Sequence, residues 1–190
     1  MSSGSVRVHL VRHGQSTWNL AGRLQGQTAH PPLTPLGRIQ ADAAARAVAA
    51  RVQQEITLWS SDLARALETA AIIASRLGVF VRTDEALREQ ALGQLQGRLT
   101  AELHAEPTPA GQHIAEVRWA GGESVRDVHE RVGTFLRRVL PTAPQDLVLV
   151  SHGDTIRVLR AWFEGRSHRD VDWEIPIENG SVTTLVWRSD

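Results

Sequence analysis

Hydrophobic and polar positions along this chain switch between two periods. Val6, Val8 and Leu10 share one side of a segment running to Val11, with Arg7 and His9 on the other, the alternation of a β-strand. Thr34 and Pro35 supply an N-cap and a favoured first helical residue, and Leu36, Ile39, Ala43 and Ala47 trace an apolar stripe continuing to about Val52. Ile56 to Trp59 reads as a short strand. From Asp62 a second helix sets Leu63, Leu67, Ala70, Ala74 and Leu77 on one face and stops at Gly78, with a further strand predicted at Val79 to Val81. Residues 85–122 are irregular, with one short helix expected around Ala101 to Glu106. Val125, Val128, Val132, Phe135, Leu136 and Val139 then restore the helical period. Leu147 to Val150 is a continuous aliphatic run, as in a strand buried on both faces. Asp154 is placed to cap a helix that turns Ile156, Leu159 and Phe163 inward, and Ser181 to Trp187 closes the chain as a strand.

Strands alternating with helices predict an α/β fold: an open, mostly parallel sheet with helices on both faces, a three-layer sandwich. The length suits a single domain over residues 1–190. In such sheets ligands bind outside the carboxyl ends of the strands.

Composition removes whole chemistries. The chain has 21 basic residues, all arginine, and no lysine, cysteine or tyrosine. It therefore lacks a disulfide framework, a thiolate nucleophile, a P-loop lysine and a Schiff-base lysine. The 21 acidic residues bring the formal charge to zero with histidine neutral, so no global field recruits nucleic acid or an anionic membrane, and any anion affinity must be local. The opening residues lack a secretory apolar stretch, and the expectation is a cytoplasmic protein with no membrane partner. The six tryptophans, Trp162, Trp173 and Trp187 among them, fit either core burial or the surface of a homodimer.

Three polar clusters fall at predicted strand ends: RHGQSTWN at Arg12 to Asn19, SSDLARALETA at Ser60 to Ala70, and SHGD at Ser151 to Asp154. Together they suit a phosphoryl group. Arg12 and Arg65 can each fork onto two phosphate oxygens. Asn19 and the amides after Gly14 and Gly153 can donate without charge, and each glycine lets a bulky ligand approach the backbone. Histidine is both nucleophilic when neutral and cationic near physiological pH, so His13 and His152 can divide those roles. The remaining histidines, His9, His30, His104, His113, His129 and His168, are read as structural or exposed. A Ser151, His152, Asp154 relay is disfavoured because triad members come from separate elements.

These motifs, with GRLQG at Gly22 to Gly26, LTPLGRIQA at Leu33 to Ala41, LREQALGQLQG at Leu87 to Gly97 and GGES at Gly121 to Ser124, resemble in order the histidine phosphatase superfamily, also called phosphoglycerate mutase-like. The resemblance runs from Val6 to about Trp187. It implies that His13 becomes phosphohistidine, that Arg12, Arg65 and His152 complete the phosphate pocket, and that Glu89 is the general acid. From the residues alone, Asp84, Glu85, Glu102, Glu123 and Asp154 rival Glu89. Asn19, Gly14, Ser16, Gln25 and Gly153 are the expected substrate contacts. The chain departs from the family at Gln96, where a glutamate is common, and at His30, where an aspartate is usual.

The implied reaction is a phosphomonoester hydrolysis without metal or cofactor, acting on a small phosphorylated metabolite. His13 is expected neutral, His152 protonated and Glu89 protonated, with the two imidazoles facing each other across one tetrahedral anion. The alternatives are a cofactor-dependent phosphoglycerate mutase and an inactive phospho-ligand binding module. Mutases carry a longer insertion after the acid than residues 98–122, which are expected to cover the substrate here, and the Leu24 to Gly26 motif looks more like the phosphatase branch.

Overall fold

The strands are β1 (Ser5–Arg12), β2 (Ile56–Ser60), β3 (Val81–Thr83), β4 (Asp146–Ser151) and β5 (Val182–Arg188). The longer helices are α2 (Pro35–Ala49), α3 (Ala64–Leu77), α4 (Val125–Val139) and α5 (Gly153–Phe163), after a single-turn α1 (Thr17–Leu20). This computed structural model describes residues 5–53, 55–104 and 106–188. The strands form one sheet in the order β3-β2-β4-β1-β5, parallel except for β5, which runs antiparallel along the edge of β1.

Side-chain alternation divides the core into two layers. Val6, Val8, Leu10, Leu147 and Leu149 point to one face and pack with Val128, Val132, Phe135 and Leu136 of α4 and Ile156 and Leu159 of α5. Val11, Leu58, Val148 and Val150 point to the other, against Ala44, Ala45 and Val48 of α2 and Ala66, Ala70 and Ile73 of α3. The three-layer arrangement is therefore present, and β4 is buried along its whole length as its aliphatic run predicts. Trp162 and Trp187 are half-buried against the first core layer, whereas Trp173 is exposed.

Several local expectations are corrected. The face of α2 that packs inward is Gly37, Ala41, Ala44, Ala45 and Val48, while Leu36 and Ile39 are exposed. Small residues let α2 approach α3 and the loop after β1 closely, and that approach outweighs the larger area of leucine and isoleucine. α2 ends at Ala49, short of Val52. α3 begins at Ala64 behind Leu63, and Leu67 faces outward. Asp62 instead binds the Arg88 guanidinium through both carboxylate oxygens. β3 is Val81–Thr83 and not Val79 to Val81, and the expected helix near Ala101 to Glu106 is only one tight turn, Thr100–Glu102. Asp154 does not cap α5: His152 holds the cap position and Asp154 sits inside the first turn.

Candidate active site

Register places the two motif histidines side by side. Arg12 pairs with Ser151 across β1 and β4, and the His13 amide donates to the Ser151 carbonyl at 3.0 Å, so His13 and His152 leave adjacent strand ends together. Ser61 joins from the end of β2, its amide on the Val150 carbonyl at 3.0 Å. One turn into α3, Arg65 reaches the same place. These are the carboxyl ends of the three central strands, where α/β sheets bind ligands.

The imidazole centroids lie 5.0 Å apart with planes at 62°. The rings therefore meet edge to face, and not face to face. His13 Nδ1 lies 2.6 Å from the Gly14 carbonyl. A carbonyl only accepts, so Nδ1 carries the proton and Nε2 keeps its lone pair. His152 Nε2 lies 2.9 Å from Ser61 Oγ, which already accepts from the Leu63 amide at 3.3 Å. The hydroxyl can donate to Nε2 or accept from it through its second lone pair, and the first arrangement is the one that puts the ring proton on Nδ1.

Both histidines are held well below their ordinary value, first by burial and then by the Arg65 cation, with Arg12 adding to each. Burial and the Arg65 cation thus favour the neutral ring of His152, whereas the expectation of a protonated ring supposes a phosphoryl anion beside it. A neutral ring with Nδ1–H still donates a hydrogen bond to a phosphoryl oxygen.

Three donors carry the electrostatic reading. Among the described residues, Arg12 Nε, Arg65 Nε and His152 Nδ1 are buried with no hydrogen-bond partner, as are Arg157 Nε and Arg160 Nε. An unpaired buried donor costs about 1 to 3 kcal/mol, more when charged, and a phosphoryl oxygen is one acceptor that would answer the first three. Arg65 is 1% exposed and burial pushes it down to about 10, so it stays charged at neutral pH. Its outer nitrogens bind the Thr28 and Gly26 carbonyls at 2.9 and 2.8 Å, which fixes the guanidinium in place. Arg12 is tied to the Ile177 carbonyl.

The expected uncharged donors are used differently. The Gly14 amide donates to Thr69 Oγ1, the Gln15 amide to Gln40 Oε1 and the Ser16 amide to Asn19 Oδ1. Gly14 is required for another reason: a β-carbon there would come within 2.1 Å of the Gly37 carbonyl oxygen. Ser16 and Asn19 form the capping box of α1, Ser16 Oγ lies 2.7 Å from Gln25 Oε1, and Asn179 bridges the His13 carbonyl to Asn19. At Gly153 an added β-carbon would make only ordinary contacts, 3.6 Å to the Arg12 guanidinium carbon and 3.5 Å to Arg157 Nη1, so the close approach there does not require glycine.

Glu89 stands at the start of α5. Its carboxylate accepts from the Thr155 amide and Thr155 Oγ1, both at 3.1 Å, from the Asp154 amide at 3.4 Å and from the Gln90 amide at 3.0 Å. Its charge is felt by both Arg12 and Arg65. Among the rivals, Glu123 is paired with Arg131, Asp84 with Arg138 and Glu85 with Arg88, while Glu102 is exposed. Asp154 pairs with Arg157, and burial together with the neighbouring Glu89 charge pushes its carboxyl up to about 7. Ser151 Oγ donates to the Leu87 carbonyl and takes no part in a relay.

Sequence reasoning missed Ser61, although it stands inside the SSD motif already singled out, and it missed Thr155, Arg131 and Asn179. The two departures are accommodated: Gln96 Oε1 accepts from the Gln27 amide at 2.8 Å, an acceptor role a glutamate could equally fill, and His30 lies edge-on to Trp18 at 5.5 Å. Within 98–122, Arg118 is spent on Asp127 and Glu116 on Arg169 and His168. Among the described residues no group of three or more histidine or acidic side chains is arranged to hold a metal, and no helix is long and apolar enough to cross a membrane.

A doubly covered, mostly parallel sheet with paired imidazoles, two buried guanidiniums and a carboxylate at its carboxyl edge defines a phosphoryl-group enzyme. The model of the histidine phosphatase superfamily, branch 1, matches residues 8–190. The glucosyl-3-phosphoglycerate phosphatase of Mycobacterium tuberculosis strain H37Rv is 37% identical over 169 residues, 82% of this chain and 74% of that protein. The phosphoglycerate mutase-like protein 4 of Arabidopsis thaliana is 36% identical over 161 residues, 81% of this chain and 69% of its own. A mycobacterial glucosyl-3-phosphoglycerate phosphatase solved with VO3 superposes with a TM-score of 0.84 at 33% identity, covering 97% and 96% of the two chains. The chain belongs to the histidine phosphatase superfamily, branch 1, and is a phosphomonoester hydrolase of that family.

Proposed function

We propose that the chain cleaves a small phosphomonoester in two steps through a phosphohistidine on His13. The carrying observation is the set of three unpartnered buried donors, Arg12 Nε, Arg65 Nε and His152 Nδ1, grouped around a histidine whose Nε2 is left free to attack. Nε2 bonds to phosphorus as the ester oxygen leaves, and Glu89, a carboxylate in the free site, takes up a proton as the phosphomonoester binds and gives it to that oxygen. The ionised Glu89 then takes a proton from water, whose oxygen attacks phosphorus and breaks the P–N bond, releasing inorganic phosphate and free His13. Charge on the equatorial oxygens is met by Arg12, Arg65 and the Nδ1–H of His152. Asn19, Ser16, Gln25, Gly14 and Gly153 shape the pocket, and residues 98–122 cover the substrate.

The relatives make glucosyl-3-phosphoglycerate the first substrate to try, in a cytoplasmic enzyme, monomeric or paired through the surface around Trp173. Rapid quenching with a 32P-labelled phosphomonoester is expected to trap an acid-labile phosphoenzyme that His13→Ala, still folded, does not form. Normal turnover by that variant would remove His13 as nucleophile. Interconversion of 2- and 3-phosphoglycerate without phosphate release would favour the mutase reading, and tight phosphate binding without turnover would favour a binding module.

A further inference from the structure

After β3 the chain enters a loop, residues 85–91, that opens with one tight turn, Glu85–Leu87, and carries Glu89. Such a loop has no ladder to satisfy its backbone, so each inward carbonyl needs a donor from elsewhere. Four consecutive carbonyls receive side-chain donors. Ala86 O accepts from Arg131 Nη1 at 2.6 Å and Leu87 O from Ser151 Oγ at 2.7 Å. Arg88 O accepts from Arg131 Nη2 at 2.9 Å and from Thr155 Oγ1 at 2.8 Å. Glu89 O itself accepts from Arg131 Nη2 and from Gln27 Nε2, both at 3.1 Å.

Arg131 is thus the hub of the loop, and it is itself held. Its Nε and Nη2 lie 2.9 and 3.1 Å from the two oxygens of Glu123. Glu123 Oε2 also accepts from the Ala91 amide at 2.9 Å and from Gln27 Nε2 at 3.2 Å, and the Glu123 carbonyl accepts from Gln90 Nε2 at 2.6 Å. A planar fork with five N–H donors can serve three carbonyls and a carboxylate at once; an ammonium cannot.

We propose that Arg131, clamped by Glu123, is a positioning residue that sets the Glu89 carboxyl at the leaving oxygen. The hydrogen bonds of Arg131 go to the loop carbonyls and to Glu123, so it acts through the backbone on either side of the acid. This inference rests on Glu89 being the acid, and the experiment separates the two. It compares kcat/KM for p-nitrophenyl phosphate, whose phenolate leaves without a proton, with kcat/KM for a simple alkyl phosphate, whose alkoxide needs one. The readout is the aryl-to-alkyl ratio.

Glu89→Gln is expected to raise that ratio steeply; an unchanged ratio would overturn the acid assignment itself. Arg131→Lys keeps the charge but loses the fork, and is expected to raise the ratio roughly 10- to 100-fold, the scale of an ångström of misplacement. Glu123→Gln, which leaves Arg131 in place and loosens its seat, should move the ratio the same way by a smaller factor, and it carries the test if Arg131→Lys fails to fold. With Glu89→Gln behaving as expected, equal losses on both esters, or no change in ratio for either hub variant, would overturn the positioning role.

Discussion

The buried, neutral histidine pair has a consequence for folding that can be measured without any substrate. Unfolded, His13 and His152 bind protons as pH falls through about 6.5. Folded, both are held well below that value by burial and by Arg65, so they stay neutral. The unfolded state then binds more protons, and stability falls as pH drops below the unfolded value. Each histidine contributes up to about 1.4 kcal/mol per pH unit in that window, and the pair up to about 2.7. Asp154, pushed up to about 7, titrates there with opposite sign, because folding raises its affinity for a proton. The informative quantity is therefore a difference between proteins. Urea unfolding at pH 7.0, 6.0, 5.5 and 5.0 should show that His13→Asn and His152→Asn each flatten the dependence by up to about 1.4 kcal/mol per pH unit relative to wild type. A constant offset from the substitution does not affect a slope. Slopes equal to wild type in both variants would mean that the pair is already protonated when folded, and the neutral-pocket reasoning would fail.

Two other substitutions probe the frame around that pair. Ser61→Ala removes the hydroxyl that holds the proton off His152 Nε2, and kcat/KM should fall roughly 10-fold or more as Nδ1 loses its proton, with a stability loss of about 1 kcal/mol; unchanged kcat/KM would refute the tautomer assignment. Gly14→Ala drives a β-carbon to 2.1 Å from the Gly37 carbonyl oxygen and should destabilise by about 3 kcal/mol in thermal or urea unfolding, whereas Gly22→Ala, which meets no atom and only the strain of a left-handed backbone (φ 62°), should lose about 1 to 2.

Much of this protein can be read from its residues in order. β1, β4 and α4 follow from alternation, a continuous aliphatic run and a regular 3.6-residue stripe, because in each the apolar set admits one buried face or two. The phosphate-binding inventory is equally legible, since two His-Gly pairs and two arginines at strand ends carry their chemistry wherever they are folded. The helix α2 and its Thr34 cap were legible but its buried face was not: alanines on one side compete with Leu36 and Ile39 on the other, and only the close seat against α3 and Gly14 decides between them. Nor was the protonation of His152, because burial and the nearness of Arg65 are properties of packing and leave no mark on local sequence. Ser61 meets His152 across 91 residues, and Arg131 reaches the acid's loop across 42 to 45. Which groups are present is a matter of sequence. Which proton each one holds, and which carbonyls a guanidinium serves, depends on distances that exist only once the sheet has closed around them.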